Sequence, residues 1–301
     1  MATKIEWTNE TWNPITGCSH ASEGCQNCYA EKMHKRLTAM GQTKYSEPFC
    51  NVIFHPEELR REHRAGNRQK HNVMIFVNSM SDTFHKNISN GIINSILTHC
   101  SLWDENNIFQ ILTKRAERLP DFKYPENVWL GVTVEMAKYK NRMEYLKQTN
   151  AKVKFLSCEP LLEDLGELDL NGIDWVIVGG ESGKNARPLH PDWVHNIQKQ
   201  CKEQGVPFFF KQWGEWLPAY RNLMKNEPYF ITITPDEKVE HQAVVKHMPF
   251  DFMKKNFKLY SWENGFSCMY SLKVGKRKAG ALLDGKEYKQ FPKCGGLRNA
   301  E

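Results

Sequence analysis

The sequence predicts a parallel α/β fold, a full or partial (β/α) barrel, followed by a smaller β-rich extension. Three observations carry that expectation. Short apolar runs rich in β-branched and aromatic residues recur along the chain: VMIFVNSMSD, IFQILTKR, VWLGVTVE, VKFLSCEP, WVIVGGESG and VPFFFKQWGEW. Segments of helical periodicity lie between most of them, and strands alternating with amphipathic helices build a parallel sheet through right-handed crossovers. Each run also ends in polar residues, the pattern of strands whose C-terminal ends feed functional loops. An open doubly wound sheet is the structural alternative; it would favour a glycine-rich dinucleotide turn after the first strand, where this chain places cysteines.

The elements follow in order. A first strand leads into TWNPITGCSHASEGCQNCYAEK, which holds Cys18, Cys25 and Cys28. AEKMHKRLTAM then puts Ala30, Met33, Leu37 and Met40 at helical spacing, with Gly41 just beyond. ISNGIINSILTHC, MAKYKNRMEYLKQTN and DWVHNIQKQCKEQG have helical character between the later strands. From about Leu217 the pattern changes: YFITITPDEKVEHQAVVKHM and FKLYSWENGFSCMYSLKVG alternate like antiparallel strands. KRKAGALLDGKEYKQFP closes with a basic turn and a short helical or looped piece, and KCGGLRNAE reads as a loose tail. The expected division is residues 1–216 for the barrel and 217–301 for the extension.

Composition narrows the class. A chain of 301 residues, 40% hydrophobic and 12% aromatic, can bury a substantial core. No run approaches the roughly eighteen apolar residues of a membrane span, and MATKIEWTNE lacks the basic start and apolar stretch of a signal peptide, so no membrane partner and a cytoplasmic location are expected. Nine cysteines, an odd number without a regular framework, fit reduced thiols. The net charge of +6 favours polyanionic partners.

The cysteine loop is the most informative segment. The pair Cys25 and Cys28 lets one tight turn aim two thiolates at a single centre, and Cys18 returns across a loop containing Gly17 and Gly24. A structural zinc site closes with four ligands, whereas three thiolates on a four-iron cluster leave one iron open. His20 offers a fourth ligand for zinc, so both metal readings stay open on spacing alone.

In a parallel barrel the polar residue ending each strand is the one to question. Those positions are Asn78, Ser79, Ser81 and Asp82; Lys114 and Arg115; Thr133 and Glu135; Ser157 and Glu159; Glu181 and Ser182; and Lys211, Gln212 and Trp213. Glu135, Glu159 and Glu181 opposite Lys114, Arg115 and Lys211 would form a charged basin suited to a zwitterionic ligand, or else a structural layer of ion pairs. Gly179 and Gly180 would let the backbone approach a ligand closely. Lys276, Arg277 and Lys278 form a candidate phosphate-contacting run.

The motifs WNPITGC, GCQNCYAE, VNSMSD, ILTKR, LGVTVE, FLSCEPL, VIVGGESG, FFFKQWGEW and GKRKAGALLDG together resemble a phage and mobile-element family known for its three-cysteine motif, and more broadly the radical-SAM enzymes. The resemblance spans about Trp12 to Pro292. It implies a barrel of the radical-SAM type, with Cys18, Cys25 and Cys28 holding a [4Fe-4S] cluster that binds S-adenosyl-L-methionine and generates a 5′-deoxyadenosyl radical. It further implies an electron donor such as flavodoxin or ferredoxin, a bacterial host cytoplasm, and a nucleic-acid base or nucleotide as substrate, with rearrangement of a hypermodified thymidine in phage DNA as one outcome. The chain departs from the usual loop: six residues separate Cys18 from Cys25 where three are usual, and the aromatic Tyr29 follows Cys28. By position Asn78, Ser79, Ser81 and Asp82 stand where that family holds the S-adenosylmethionine, with Glu135 as a further cofactor contact. Glu135, Glu159, Glu181, Lys114 and Lys211 are the expected catalytic set. The competing class is a zinc-knuckle nucleic-acid-binding protein without catalysis, in which Trp213 and Trp216 would be exposed to contact bases.

Overall fold

The computed structural model describes residues 5–60, 73–102, 107–221, 229–235, 243–249, 258–264 and 267–292. The chain opens with β1 (Glu10–Trp12) and β2 (Ile15–Thr16), the latter paired antiparallel with β3 (Ile53–Phe54). Then come β4 (Met74–Val77), β5 (Ile108–Thr113), β6 (Val128–Thr133), β7 (Val153–Cys158), β8 (Trp175–Gly179) and β9 (Phe208–Gln212). One seven-stranded sheet has the order β1-β4-β5-β6-β7-β8-β9, and every neighbouring pair is parallel. A doubly wound sheet reverses its order at a switch point; this one adds each strand to the same side. It curls into a half-barrel, the partial form of the expected architecture.

Period-two alternation divides the strand side chains between two cores. Ile75, Ile111, Leu130, Leu156, Val176 and Phe210 join one buried cluster with residues of the helices α2 (Asn90–Leu102), α3 (Asn141–Lys147) and α4 (Pro191–Glu203). Trp129, Phe155, Trp175, Ile177 and Phe209 point the other way and fill the concave side with Trp7. Trp175 sits at the centre, edge-on to Trp7 at 86° and to Phe209 at 89°. Gly131 belongs to the same row, and a Cβ there would lie 2.4 Å from the Phe155 ring.

The helical layer is thinner than the sequence pattern suggests. The helix α1 (Tyr29–Ala39) forms as expected, and α4 starts on His190, whose ring accepts the Asp192 N–H at 3.1 Å, with Pro191 in its first turn. MAKYKNRMEYLKQTN yields only a 3₁₀ turn (Ala137–Tyr139) and the seven-residue α3. Between β7 and β8 the crossover covers the sheet with the buried Leu161, Leu165, Leu168 and Leu170 in a non-helical segment.

From Trp216 onward the pairing becomes antiparallel, as expected. The strands β10 (Trp216–Arg221), β11 (Tyr229–Pro235), β12 (Ala243–Pro249), β13 (Leu259–Asn264) and β14 (Ser267–Lys273) form a sheet of order β12-β11-β10-β14-β13. After the short helix Lys276–Ala279 the chain returns to the half-barrel. Phe209 bridges Lys289, the Phe210 N–H donates to the Tyr288 carbonyl at 2.8 Å, and Phe291 enters the inner cluster. The exposed edge of β9 is thereby covered by chain assigned from sequence to the extension. The expected tail, residues 293–301, lies outside the described residues. Among the described residues no helix is long and apolar enough to cross a membrane.

Candidate functional site

The cysteine loop lies across the C-terminal ends of the sheet, tied to four strands. At β4, Gly17 bridges Ser81, whose hydroxyl donates to the Gly17 carbonyl. Gly17 has φ +79°, and a Cβ would lie 2.0 Å from the Asn51 carbonyl oxygen, so the crossing requires glycine. At β5, Arg115 donates to the Ser19 carbonyl at 2.8 Å and to its hydroxyl at 3.0 Å, and is itself paired with Asp82 at 3.4 Å. At β6, Glu135 is fully buried: one oxygen accepts from Arg142 at 2.8 Å and the other from the Ser22 hydroxyl. At β8, Glu181 accepts from Asn27 at 2.9 Å and from Arg187 through both of its oxygens, at 2.7 and 3.0 Å. Arg187 reaches on to the Glu23 carbonyl at 3.1 Å.

Around β6 the network extends outward. Arg142 also donates to the Thr133 carbonyl at 2.7 Å and lies 4.0 Å from the Tyr139 ring centroid. Tyr139 and Lys138 both bond the Glu23 carboxylate, and these hydrogen bonds hold its pKa down at about 2. Gly24 packs directly on Glu135, where a Cβ would come within 2.8 Å of Oε1.

Within the loop all three cysteines are free and half-buried. Burial first, then Asp82, pushes the Cys18 thiol up to about 12; Cys25 and Cys28 add to the rise and Arg115 opposes it. Cys28 is raised chiefly by burial, opposed by the N–H groups of Glu31 and Ala30 at the start of α1 and by the Lys114 charge. Among the described residues no three His, Cys, Asp or Glu side chains converge closely enough to hold a metal ion. The donor set nonetheless fits a thiolate-held centre: on one fastened loop the neighbouring thiols raise the cost of ionising Cys18 and Cys28, a cost a bound cation would remove. His20 is turned away, its side chain 57% exposed and its Nε2 3.4 Å from Glu31.

Several expected cofactor-binding groups have partners inside the protein. Asn78 adopts φ 59°, accepts from the Ile15 N–H at 2.9 Å and donates to Thr83 at 2.8 Å. Ser79 donates to Asn13 at 3.1 Å. Asp82 accepts from Thr113 at 2.7 Å, from the Phe84 N–H at 3.0 Å and from the Lys114 N–H at 3.2 Å. Glu181 would be raised by burial, but the bonds from Arg187 and Asn27 outweigh that and hold it below its ordinary value. Asn78, Ser79, Ser81, Asp82, Glu135 and Glu181 thus build and fasten the loop's support.

Three charged groups differ. Lys211 lies 3.1 and 3.3 Å from the two oxygens of Glu159, and both side chains are partly accessible. The Lys114 ammonium makes no hydrogen bond or ion pair among the described residues. The paired glycines also have a structural account. A Cβ on Gly179 would lie 2.5 Å from Glu159 Oε1, and one on Gly180 would lie 2.0 Å from the Trp213 carbonyl oxygen. They admit protein atoms, where a close approach to ligand was expected. Trp213 and Trp216 are likewise buried, with their indole N–H groups bonded to Leu282 and Ala186 carbonyls, contrary to the expectation that they face nucleic acid.

A family model matches residues 2–292, almost the whole chain. The chain belongs to the family described as protein of unknown function, DUF5131. No curated protein and no solved structure matches it. Sequence reasoning missed Ser22, Arg142 and Arg187. Arg142 and Arg187 each follow a strand-end glutamate by six or seven residues, a spacing that becomes informative only once the loop is known to fold back over the strand.

Proposed function

We propose that the chain is a radical-SAM-like enzyme in which Cys18, Cys25 and Cys28 hold a [4Fe-4S] cluster and S-adenosylmethionine binds beside it in the barrel mouth. The observation that carries this reading is the fastening of a three-thiol loop to four strand ends, with Lys114, Glu159 and Lys211 left toward the opening. Bound there, the cluster and S-adenosylmethionine supply one-electron cleavage of a sulfonium and hydrogen abstraction from a substrate. The chain's own residues position and enclose. Arg115, Glu135 and Glu181 fix where the thiols stand, and the packed inner aromatics close the site from below. Glu159 and Lys211 offer a carboxylate and an ammonium to an amino acid moiety or a substrate, while Lys114 offers a cation beside Cys28.

A nucleic-acid base or nucleotide is the substrate class that suits the net charge of +6 and the Lys114 ammonium, unpaired among the described residues. An electron donor such as flavodoxin or ferredoxin is the implied partner. The orientation of His20 toward Glu31 favours the three-thiolate reading over a zinc knuckle. Chromatography after anaerobic reconstitution and chemical reduction tests the activity. Wild type and Cys201→Ala should convert S-adenosylmethionine to methionine and 5′-deoxyadenosine, and Cys18→Ala, Cys25→Ala and Cys28→Ala should not. Equal conversion by the loop variants would overturn the proposal.

A further inference from the structure

Some surface lysines have carboxylate partners, such as Lys35 with Glu31, Lys138 with Glu23 and Lys152 with Glu126, and others do not. Beyond the end of β9, three consecutive cations stand together without one. Lys276, Arg277 and Lys278 are all exposed on the short helix after β14 and form no ion pair among the described residues. That helix is bound to the tail of β9: the Trp213 N–H donates to the Gly280 carbonyl at 3.1 Å, and the N–H groups of Val274 and Gly275 donate to the Glu215 carbonyl at 3.0 and 3.1 Å. The basic run is therefore fixed immediately beyond Lys211.

Other cations extend this run into a rim. Lys273 lies over the Trp216 ring, 5.6 Å from its centroid, and the Lys32 ammonium from α1 would be 3.0 Å from a Cβ at Gly183 in the loop after β8. Although Lys276 is exposed as a residue, its ammonium end is partly enclosed by the protein, and that burial first and Lys211 next lower its pKa, which places both charges in one electrostatic neighbourhood. Glu159, Glu215 and Glu6 oppose these cations; Glu159 is engaged by Lys211, one oxygen of Glu215 accepts the Gly183 N–H at 3.0 Å, and Glu6 is paired with Lys289. Tyr29 stands at the first turn of α1, 58% exposed and within electrostatic reach of Lys211.

We infer that this rim is a track for a single nucleic-acid strand, with Lys276, Arg277, Lys278 and Lys273 on the phosphates, Tyr29 as a stacking surface for a base, and Lys211 at the inner end where the strand's nucleotide enters the mouth. The inference rests on the nucleotide reading above and turns it from a free nucleotide into one within a polymer. Phosphate contacts supply affinity without sequence choice, and an aromatic face accepts any base.

Fluorescence anisotropy with a labelled single-stranded oligonucleotide tests it, in the full-length chain across a range of salt. Log affinity should fall with log salt by about 0.7 per phosphate contacted. Joint Lys276→Glu, Arg277→Glu and Lys278→Glu substitution should reduce that slope by about two and weaken binding at least tenfold, and Tyr29→Ala should weaken it about tenfold without changing the slope. Charge reversal of Lys199 and Lys202 on α4 should do neither. Binding that ignores salt, that the α4 reversal weakens as much as the rim reversal, or that a mononucleotide displaces as well as unlabelled strand, overturns the track. Iron content measured on the same preparations separates the two proposals. A chain that carries zinc yet binds the strand through the rim supports the track and overturns the cluster alone. An iron-loaded chain without salt-dependent binding overturns the track alone.

Discussion

Changing Glu135 to Gln isolates the buried ion pair that fastens the cysteine loop to β6. The side chains of Arg142 and Glu135 are 4% and 0% exposed, so water screens neither charge. Glutamine keeps the shape and leaves the Arg142 guanidinium with the Thr133 carbonyl and the Tyr139 ring, but without its counter-charge. Removing one partner of a buried pair costs about 3 to 5 kcal/mol, whereas an exposed pair such as Lys152 with Glu126, at 62% and 88%, contributes roughly 0 to 1 kcal/mol. Urea denaturation at neutral pH should show a loss of about 3 kcal/mol in Glu135→Gln, read as a lower midpoint at unchanged slope, and under about 1 kcal/mol in Glu126→Gln. The loop should also bind iron more weakly, although no cysteine has changed. A Glu135→Gln chain as stable as Glu126→Gln, with full metal content, would refute the assignment of Glu135 as the loop's anchor.

The Glu181–Arg187 pair predicts a pH dependence. Because the folded carboxyl is held below its ordinary value of 4.5, its stabilisation is fully present above that value and is lost as pH falls through the folded pKa. Glu181→Gln should therefore be less stable than wild type at neutral pH, with the gap closing only in acid well below 4.5; a gap that closes by pH 6 contradicts the pairing. Gly180→Ala must move the β9 tail, since its Cβ meets the Trp213 carbonyl at 2.0 Å, and thermal melting should register a loss where Gly91→Ala, in open space on α2, gains about 0.5 kcal/mol. His20→Ala should retain its metal, and a drop in metal content to the level of Cys25→Ala would restore His20 as a ligand.

The order of parallel strands was legible because each is short, apolar and closed by polar residues. The positions of Lys114, Glu135, Glu159, Glu181 and Lys211 at strand ends followed from that reading. What those side chains touch did not. Asp82, Glu135 and Glu181 look alike in sequence as free acceptors; the return of a loop from residues 17–28 supplies Ser22 and Asn27 to Glu135 and Glu181, while Asp82 pairs with Arg115, which in turn holds Ser19 of that loop. The glycines of VIVGGESG read as ligand-approach positions because local sequence cannot report that the carbonyl of Trp213 and the carboxylate of Glu159 arrive there. The expected helix over MAKYKNRMEYLKQTN is shortened to a 3₁₀ turn and the seven-residue α3, and between β7 and β8 the buried Leu161, Leu165, Leu168 and Leu170 cover the sheet from a non-helical segment.

Elemental analysis of the anaerobically purified, reconstituted chain decides whether Cys18, Cys25 and Cys28 hold an iron–sulfur cluster. The expected result is about four iron and four sulfide per chain, a brown colour, and loss of both elements in each single loop variant but not in Cys201→Ala. A colourless chain carrying about one zinc and no sulfide would contradict it.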